Sequence, residues 1–122
     1  MEENKLVTAS KSFAVSIISV CETIRERKKG TAIINQLLRC GTSIGANIHE
    51  ANYASSKADF VNKFQIALKE CYETDYWLDI FHDSKIISDN EYFELYSQCS
   101  KIRKLLIASI TTAKRNAGKQ EA

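Results

Sequence analysis

The chain has no proline and only four glycines among its 122 residues. Those residues punctuate sheets, tight turns and long loops, so their scarcity argues against a β-rich fold and suits long helices. Cysteine occurs four times but never as a CxxC pair, and no histidine stands near one at zinc-ligand spacing. A zinc-finger framework is therefore absent, and Cys21, Cys40, Cys71 and Cys99 read as buried free thiols. No uninterrupted run approaches the roughly 20 apolar residues of a bilayer span. The opening MEENKLVTASKSFAVSIISVCETIRERKKG puts acids ahead of an apolar stretch broken by Ser12, Ser16 and Ser19, unlike a signal peptide. A cytoplasmic protein without membrane association is the expectation.

What is present fits one domain: 44% hydrophobic residues to close a core and 26% charged residues to solvate it. Leu6, Ser10, Phe13, Ile17, Val20 and Ile24 step by fours and threes, which places them on one face of a helix over about 4–29. Gly30 is the expected stop, with Arg25, Arg27, Lys28 and Lys29 complementing the negative end of the helix dipole. A second helix over about 32–53 would bury Ile33, Ile34, Leu37, Leu38, Ile44 and Ile48. Ser56-Lys57-Ala58-Asp59 reads as a capping box that opens a third helix over about 57–83, with Phe60, Phe64, Ala67, Cys71, Thr74, Leu78 and Phe81 facing inward. Ser88-Asp89-Asn90-Glu91 repeats that logic for a fourth over about 89–116, with Leu95, Cys99, Ile102, Leu106, Ser109 and Ala113 inward and a tail after Asn116 expected to fray. Short connections make the neighbours antiparallel, so the predicted fold is an all-α, up-down-up-down four-helix bundle.

Gly41 and Gly45 fall inside the second helix, where each costs about 1 kcal/mol against alanine. With Thr42 and Ser43 between them they predict a local weakening or bend, and close approach by a neighbouring helix. GTSIG is not a phosphate loop, because it lacks the GK[ST] ending and follows a helical pattern. His49-Glu50-Ala51-Asn52-Tyr53 begins like HExxH but has Tyr53 where the second zinc ligand belongs. Asp79-Ile80-Phe81-His82 is a lone, loose analogue of the paired ExxH motifs of di-iron bundles. The sequence therefore predicts no catalytic residues, no metal and no cofactor.

Charge is clustered although the net is only +2. Arg25 to Arg39 holds five bases and one acid, Glu70 to Glu94 eight acids and one base, and Lys101 to Ala122 six bases and one acid. Arg25, Arg27, Lys28, Lys29, Arg39, Arg103, Lys104, Lys114 and Arg115 are the candidate contacts to RNA or DNA phosphates. The same cations would equally suit an acidic patch on another subunit, or plain solvation. Tyr53, Tyr72, Tyr76 and Trp77 lie off or beside the core stripes and are candidate subunit-interface residues.

QLLRCGTSIGANIHEANYASSKADFVNKFQIALKECYETDYWLDI resembles the core of the four-helix-bundle proteins encoded in intervening sequences of bacterial 23S rRNA genes, and the likeness extends over nearly the whole chain. Gly45 stands where that family usually has proline, Cys40 where small residues are common, and Ala51 where a glycine often falls. The resemblance implies a ring-like homopentamer. It extends to the accessory proteins of diversity-generating retroelements, which engage RNA and a reverse transcriptase. Arg39 matches a basic position of the signature, while Asn47 and Glu50 match polar positions and are carried over as structural or interface residues. The leading expectation is a non-enzymatic oligomer that binds nucleic acid as an adaptor; the rival is a purely structural or protein-binding scaffold.

Overall fold

Two serines start the helices of the second half of the chain. Ser56, extended at φ −160°, accepts the Asp59 amide on Oγ at 3.1 Å, and the Asp59 carboxylate accepts the Ser55 amide at 3.1 Å. Ser88 accepts the Glu91 amide at 3.1 Å while donating its own amide to Glu91 Oε1 at 2.8 Å, a reciprocal capping box. In the computed structural model, which describes the backbone of residues 2–121 and the side chains of residues 5–116, four helices result. They are α1 (Glu2–Arg27), α2 (Ile34–Ala51), α3 (Lys57–Asp83) and α4 (Asp89–Glu121). The helical backbone of α4 continues past Asn116, where fraying was expected. Each helix packs on two others, α1 and α3 both lying against α2 and α4, which is the square of an all-α four-helix bundle.

The stops differ from the expected ones by a few residues, for a common reason. α1 ends at Arg27, before Gly30, because Lys28 already takes the left-handed conformation at φ 59°, its amide reaching the Ile24 and Arg25 carbonyls at 3.1 Å. Gly30, at φ 68°, serves the turn instead: a Cβ there would stand 2.6 Å from Ile86 Cδ1. The turn uses up two further residues, so α2 begins at Ile34, with Ile33 as an N-cap that makes no side-chain bond. Lys85 repeats the device after α3 at φ 60°. Its amide bonds the His82 carbonyl at 3.0 Å and the Ile86 amide bonds Phe81 at 2.9 Å, the paired bonds of a Schellman motif.

The predicted stripes form the core. Leu6, Phe13, Ile17, Ile24, Leu37, Ile44, Leu78, Phe81 and Leu106 are completely inaccessible, and Ile34, Ile48, Phe64 and Ile102 nearly so. All four cysteines are buried and free. Ile33, Leu38, Phe60, Val61 and Leu68 pack against this core from its margin, half-buried.

α2 stays helical through Gly41 and Gly45, so the glycines are accommodated inside a continuous element. Their spatial role is close approach to α1. A Cβ on Gly41 would lie 2.8 Å from Ile17 Cγ1, and one on Gly45 would lie 3.3 Å from the Ser10 carbonyl oxygen. One correction concerns α1: Lys5–Arg27, 23 residues, is long and apolar enough by length and composition to cross a membrane. The search for an uninterrupted apolar run missed it because serines and charges are scattered along it. Here its stripe is the α1 share of the core.

Candidate functional site

Four of the nine candidate phosphate-binding cations are held by carboxylates of the same chain. Arg25 bonds Glu22 at 3.0 Å, one turn back. Arg27 reaches across to α4, where Nη1 and Nη2 meet the two Glu91 oxygens at 2.9 and 3.0 Å and Nη1 also donates to the Ile86 carbonyl at 3.0 Å. This fork holds the Glu91 carboxyl below its ordinary pKa, the Arg27 hydrogen bonds being the largest cause. Arg39 on α2 bonds Glu73 on α3 and lies 3.5 Å from Glu70, close enough for charge attraction while Glu70 Oε2 makes no hydrogen bond. Burial raises the Glu70 carboxyl above its usual range, and Arg39 opposes this.

Arg103 is the most enclosed of the four. It bonds Asp75 on α3, and its guanidinium lies 5.7 Å from the Tyr72 ring centre and 6.0 Å from that of Tyr96. Desolvation raises the Asp75 carboxyl against the pull of this arginine. Arg27, Arg39 and Arg103 join helices to one another, which is a structural use of their charge.

Lys28, Lys29, Lys104, Lys114 and Arg115 are exposed, and among the described residues none has a carboxylate within ion-pair distance. They are not one surface. Lys28 and Lys29 sit in the α1–α2 turn, beside the α3–α4 turn; Lys114 and Arg115 lie at the far end of α4. From Asp89 to Arg115 a straight helix rises about 39 Å.

The six candidate interface residues also divide. Tyr53, Tyr72 and Tyr76 are exposed, and Glu50 with them. Asn47 is half-buried and donates Nδ2 to the Ser43 carbonyl at 2.9 Å within its own helix. Trp77 packs on the core margin and donates Nε1 to Glu73 at 3.3 Å, so intramolecular contacts account for much of it.

The sequence reading missed other exposed apolar side chains: Val15 (66% exposed) and Ile18 on α1, and Phe93 (73%) and Ile107 on α4. Val15 and Ile18 are one turn apart on a single face, outside the Phe13–Ile17–Val20 stripe, and being off-stripe was the available signal. Val15 also lines a groove of about 350 Å³ between α1 and α4, whose floor includes Val20 and Leu95. A row of stacked rings was missed too: His82 on Tyr92, with centres 4.3 Å apart, and Tyr92 on Tyr96 at 5.5 Å. Tyr92 donates its hydroxyl to Asp79 at 2.6 Å, which pushes its pKa up to about 12.

Among the described residues no group of three or more His, Cys, Asp or Glu side chains is placed to hold a metal ion. His49 lies beside Tyr53, ring centres 5.5 Å apart, and His82 Nε2 is 2.7 Å from Asp89. The Cys21 and Cys40 thiols are pushed up to about 11 by burial, the reverse of what a nucleophile or a thiolate ligand needs.

The family model for 23S rRNA-intervening sequence proteins matches residues 2–108. A similar solved structure is a protein of unknown function from the S23 ribosomal protein family of Bacteroides thetaiotaomicron. It is 41% identical with a TM-score of 0.88, and the alignment covers 91% of this chain and 99% of that one. No curated protein matches the chain.

Proposed function

The chain belongs to the 23S rRNA-intervening sequence protein family, and we propose that it works without catalysis, as a self-assembling helical scaffold. The observation that carries this reading is apolar surface left outside a closed core. Val15 and Ile18, Tyr72 and Tyr76, and Phe93 are exposed on three helices of a bundle whose own stripes are already buried. Scattered exposed side chains are ordinary, but an adjacent pair on one face beside a groove and a phenylalanine 73% exposed suit a second copy of the chain. Charge favours the same occupant. Asp83, Asp89 and Glu94, exposed acids that no arginine or lysine holds among the described residues, complement the lysines without a carboxylate partner there, so unlike patches on neighbouring copies attract in a head-to-tail ring. Five copies is the number the family resemblance implies. A reducing compartment such as the cytoplasm suits four buried free cysteines.

A second reading has its own support. Lys28, Lys29, Lys104, Lys114 and Arg115 have no carboxylate partner among the described residues and are available to RNA or DNA phosphates, or to an acidic partner protein such as a reverse transcriptase. Repetition around a ring would multiply a patch that is weak in one copy. Light scattering coupled to size exclusion tests the first reading: a multiple of 13.8 kDa supports it and a monomer at high concentration overturns it. Titration with a structured RNA at two salt concentrations tests the second.

A further inference from the structure

Residues 72–79 read YETDYWLD, the tetrapeptide Tyr-x-x-Asp twice in succession. A step of four residues overshoots one helical turn by only about 40°, so the two copies of the motif occupy successive turns of α3 on nearly the same face. Their middle residues behave alike. Thr74 and Leu78 are buried, while Trp77 donates to Glu73, which also bonds Arg39 of α2. Within each copy the tyrosine and the aspartate, three residues apart, are neighbours on the helix surface.

The first copy holds a cation. Arg103 of α4 bonds the Asp75 carboxylate, donates to Ser100 Oγ at 3.3 Å, and lies 5.7 Å from the centre of the Tyr72 ring. A carboxylate beside a ring face suits both the charge and the plane of a guanidinium. The second copy has the same two groups and no such guest. Tyr76 is 56% exposed, and Asp79 is exposed with only its Oδ1 engaged, by the Tyr92 hydroxyl. Among the described residues no basic side chain lies within ion-pair distance of Asp79. The α4 residue one turn from Arg103 toward this copy is Cys99, which is buried, so the helix that supplies Arg103 supplies no second arginine here. Asp83, one turn beyond Asp79, and Asp89 and Glu94 at the start of α4 are exposed acids that leave this end of the α3–α4 face negative.

We propose that Tyr76 and Asp79 dock an arginine side chain from a basic segment of a partner protein. The guanidinium lies on the exposed Tyr76 ring and donates to Asp79 Oδ2, as Arg103 does with Tyr72 and Asp75, and the neighbouring acids attract the rest of the segment. Lysine fits less well, because its ammonium is a point charge without a plane to stack or a fork to donate. The inference stands apart from self-assembly through Val15, Ile18 and Phe93 and holds for a single copy of the chain.

Calorimetric titration of the full chain at low salt with hexa-arginine and hexa-lysine peptides tests it. Hexa-arginine should bind at least about threefold more tightly, the margin of an exposed cation–π contact. Tyr76→Ala and Asp79→Asn should each weaken hexa-arginine binding by about threefold, and Tyr76→Ala should abolish the preference over hexa-lysine. The emission of Trp77, the chain's one tryptophan, should change on hexa-arginine binding, because its ring centre is 5.1 Å from that of Tyr76. Both positions are exposed and Asp79→Asn keeps an oxygen for Tyr92, so both variants should fold. Equal affinity for the two peptides, or unchanged hexa-arginine affinity in either variant, overturns the site and reduces the surface to long-range attraction. A variant that lowers the oligomer mass in light scattering while peptide affinity stays unchanged would also overturn it, by assigning the surface to a second copy. A wild-type monomer that binds hexa-arginine with the expected preference would support this site while contradicting self-assembly.

Discussion

Arg27 and Glu91, 64 positions apart in the chain, form a two-bonded fork that ties the end of α1 to the first turn of α4. Glu91 Oε1 also accepts the Ser88 amide, so one carboxylate serves the cap of its own helix and the closure of the bundle. Both side chains are partly solvated, 39% and 25% exposed, and screening limits what the pair contributes.

Glu91→Gln should destabilise the fold by about 0.5 kcal/mol, because glutamine keeps an oxygen for the Ser88 amide and the loss is confined to the charge pairing with Arg27. The sign of its pH dependence is fixed by a folded pKa below the unfolded one. Its stabilisation is complete above the ordinary value of 4.5 and is lost as pH falls through the lowered one. Asp75 and Glu70, whose pKa values are raised on folding, act oppositely and cost stability as pH rises through their titration. Denaturant melts of wild type and Glu91→Gln between pH 3 and 7 should converge at the acid end. Parallel curves would contradict the assignment.

Gly41→Ala should destabilise although alanine is the better helix former. The added carbon meets Ile17 at 2.8 Å, and Ile17 is fully buried with no room to retreat. Overpacking of about 1 to 3 kcal/mol outweighs a propensity gain of about 1. Gly41→Ala should cost less in an Ile17→Ala background, which lacks the Cγ1 and Cγ2 atoms that the added carbon meets, a non-additivity readable in a double-mutant cycle. Gly45→Ala, facing the Ser10 carbonyl oxygen at 3.3 Å, should cost less.

Lys28→Gly and Lys85→Gly should each stabilise by about 0.5 to 1 kcal/mol, because both lysines hold the left-handed conformation that glycine adopts without strain. Chemical denaturation reads this directly. A loss in either variant would show that the lysine side chain contributes more than its backbone strain costs.

If the free lysines meet RNA, the double change Lys28→Glu/Lys29→Glu should weaken binding at low salt and flatten its salt dependence by roughly 0.7 per lost phosphate contact. Arg103→Gln should instead lower stability first, since its charge is committed to Asp75. Equal RNA affinity in the lysine variant and the wild type would remove those residues from the surface.

The bundle was legible because its stripes repeat at helical spacing and because two serine caps announce α3 and α4 locally. Phe13, Ile17, Phe64, Phe81 and Leu106 need no knowledge of their neighbours to be assigned inward. The fate of the arginines was not legible, because Arg27 meets Glu91 and Arg103 meets Asp75 only after distant segments are brought together. Helix ends were displaced for a related reason: a lysine in the left-handed region leaves no mark in composition, whereas Gly30 drew attention while serving the packing of Ile86. Val15 and Phe93 were visible as residues, but their exposure is a property of the assembled bundle.

Self-assembly through the uncovered apolar faces is the central claim, and light scattering coupled to size exclusion on wild type and on Val15→Glu/Phe93→Glu tests it most directly. Both positions are strongly exposed, so circular dichroism should show the variant folded. The account predicts a discrete multiple of 13.8 kDa for the wild type, about 69 kDa for the five copies of a closed ring, and a lower mass for the variant. A wild-type monomer near 14 kDa, or an assembly that the double substitution leaves intact, would contradict it.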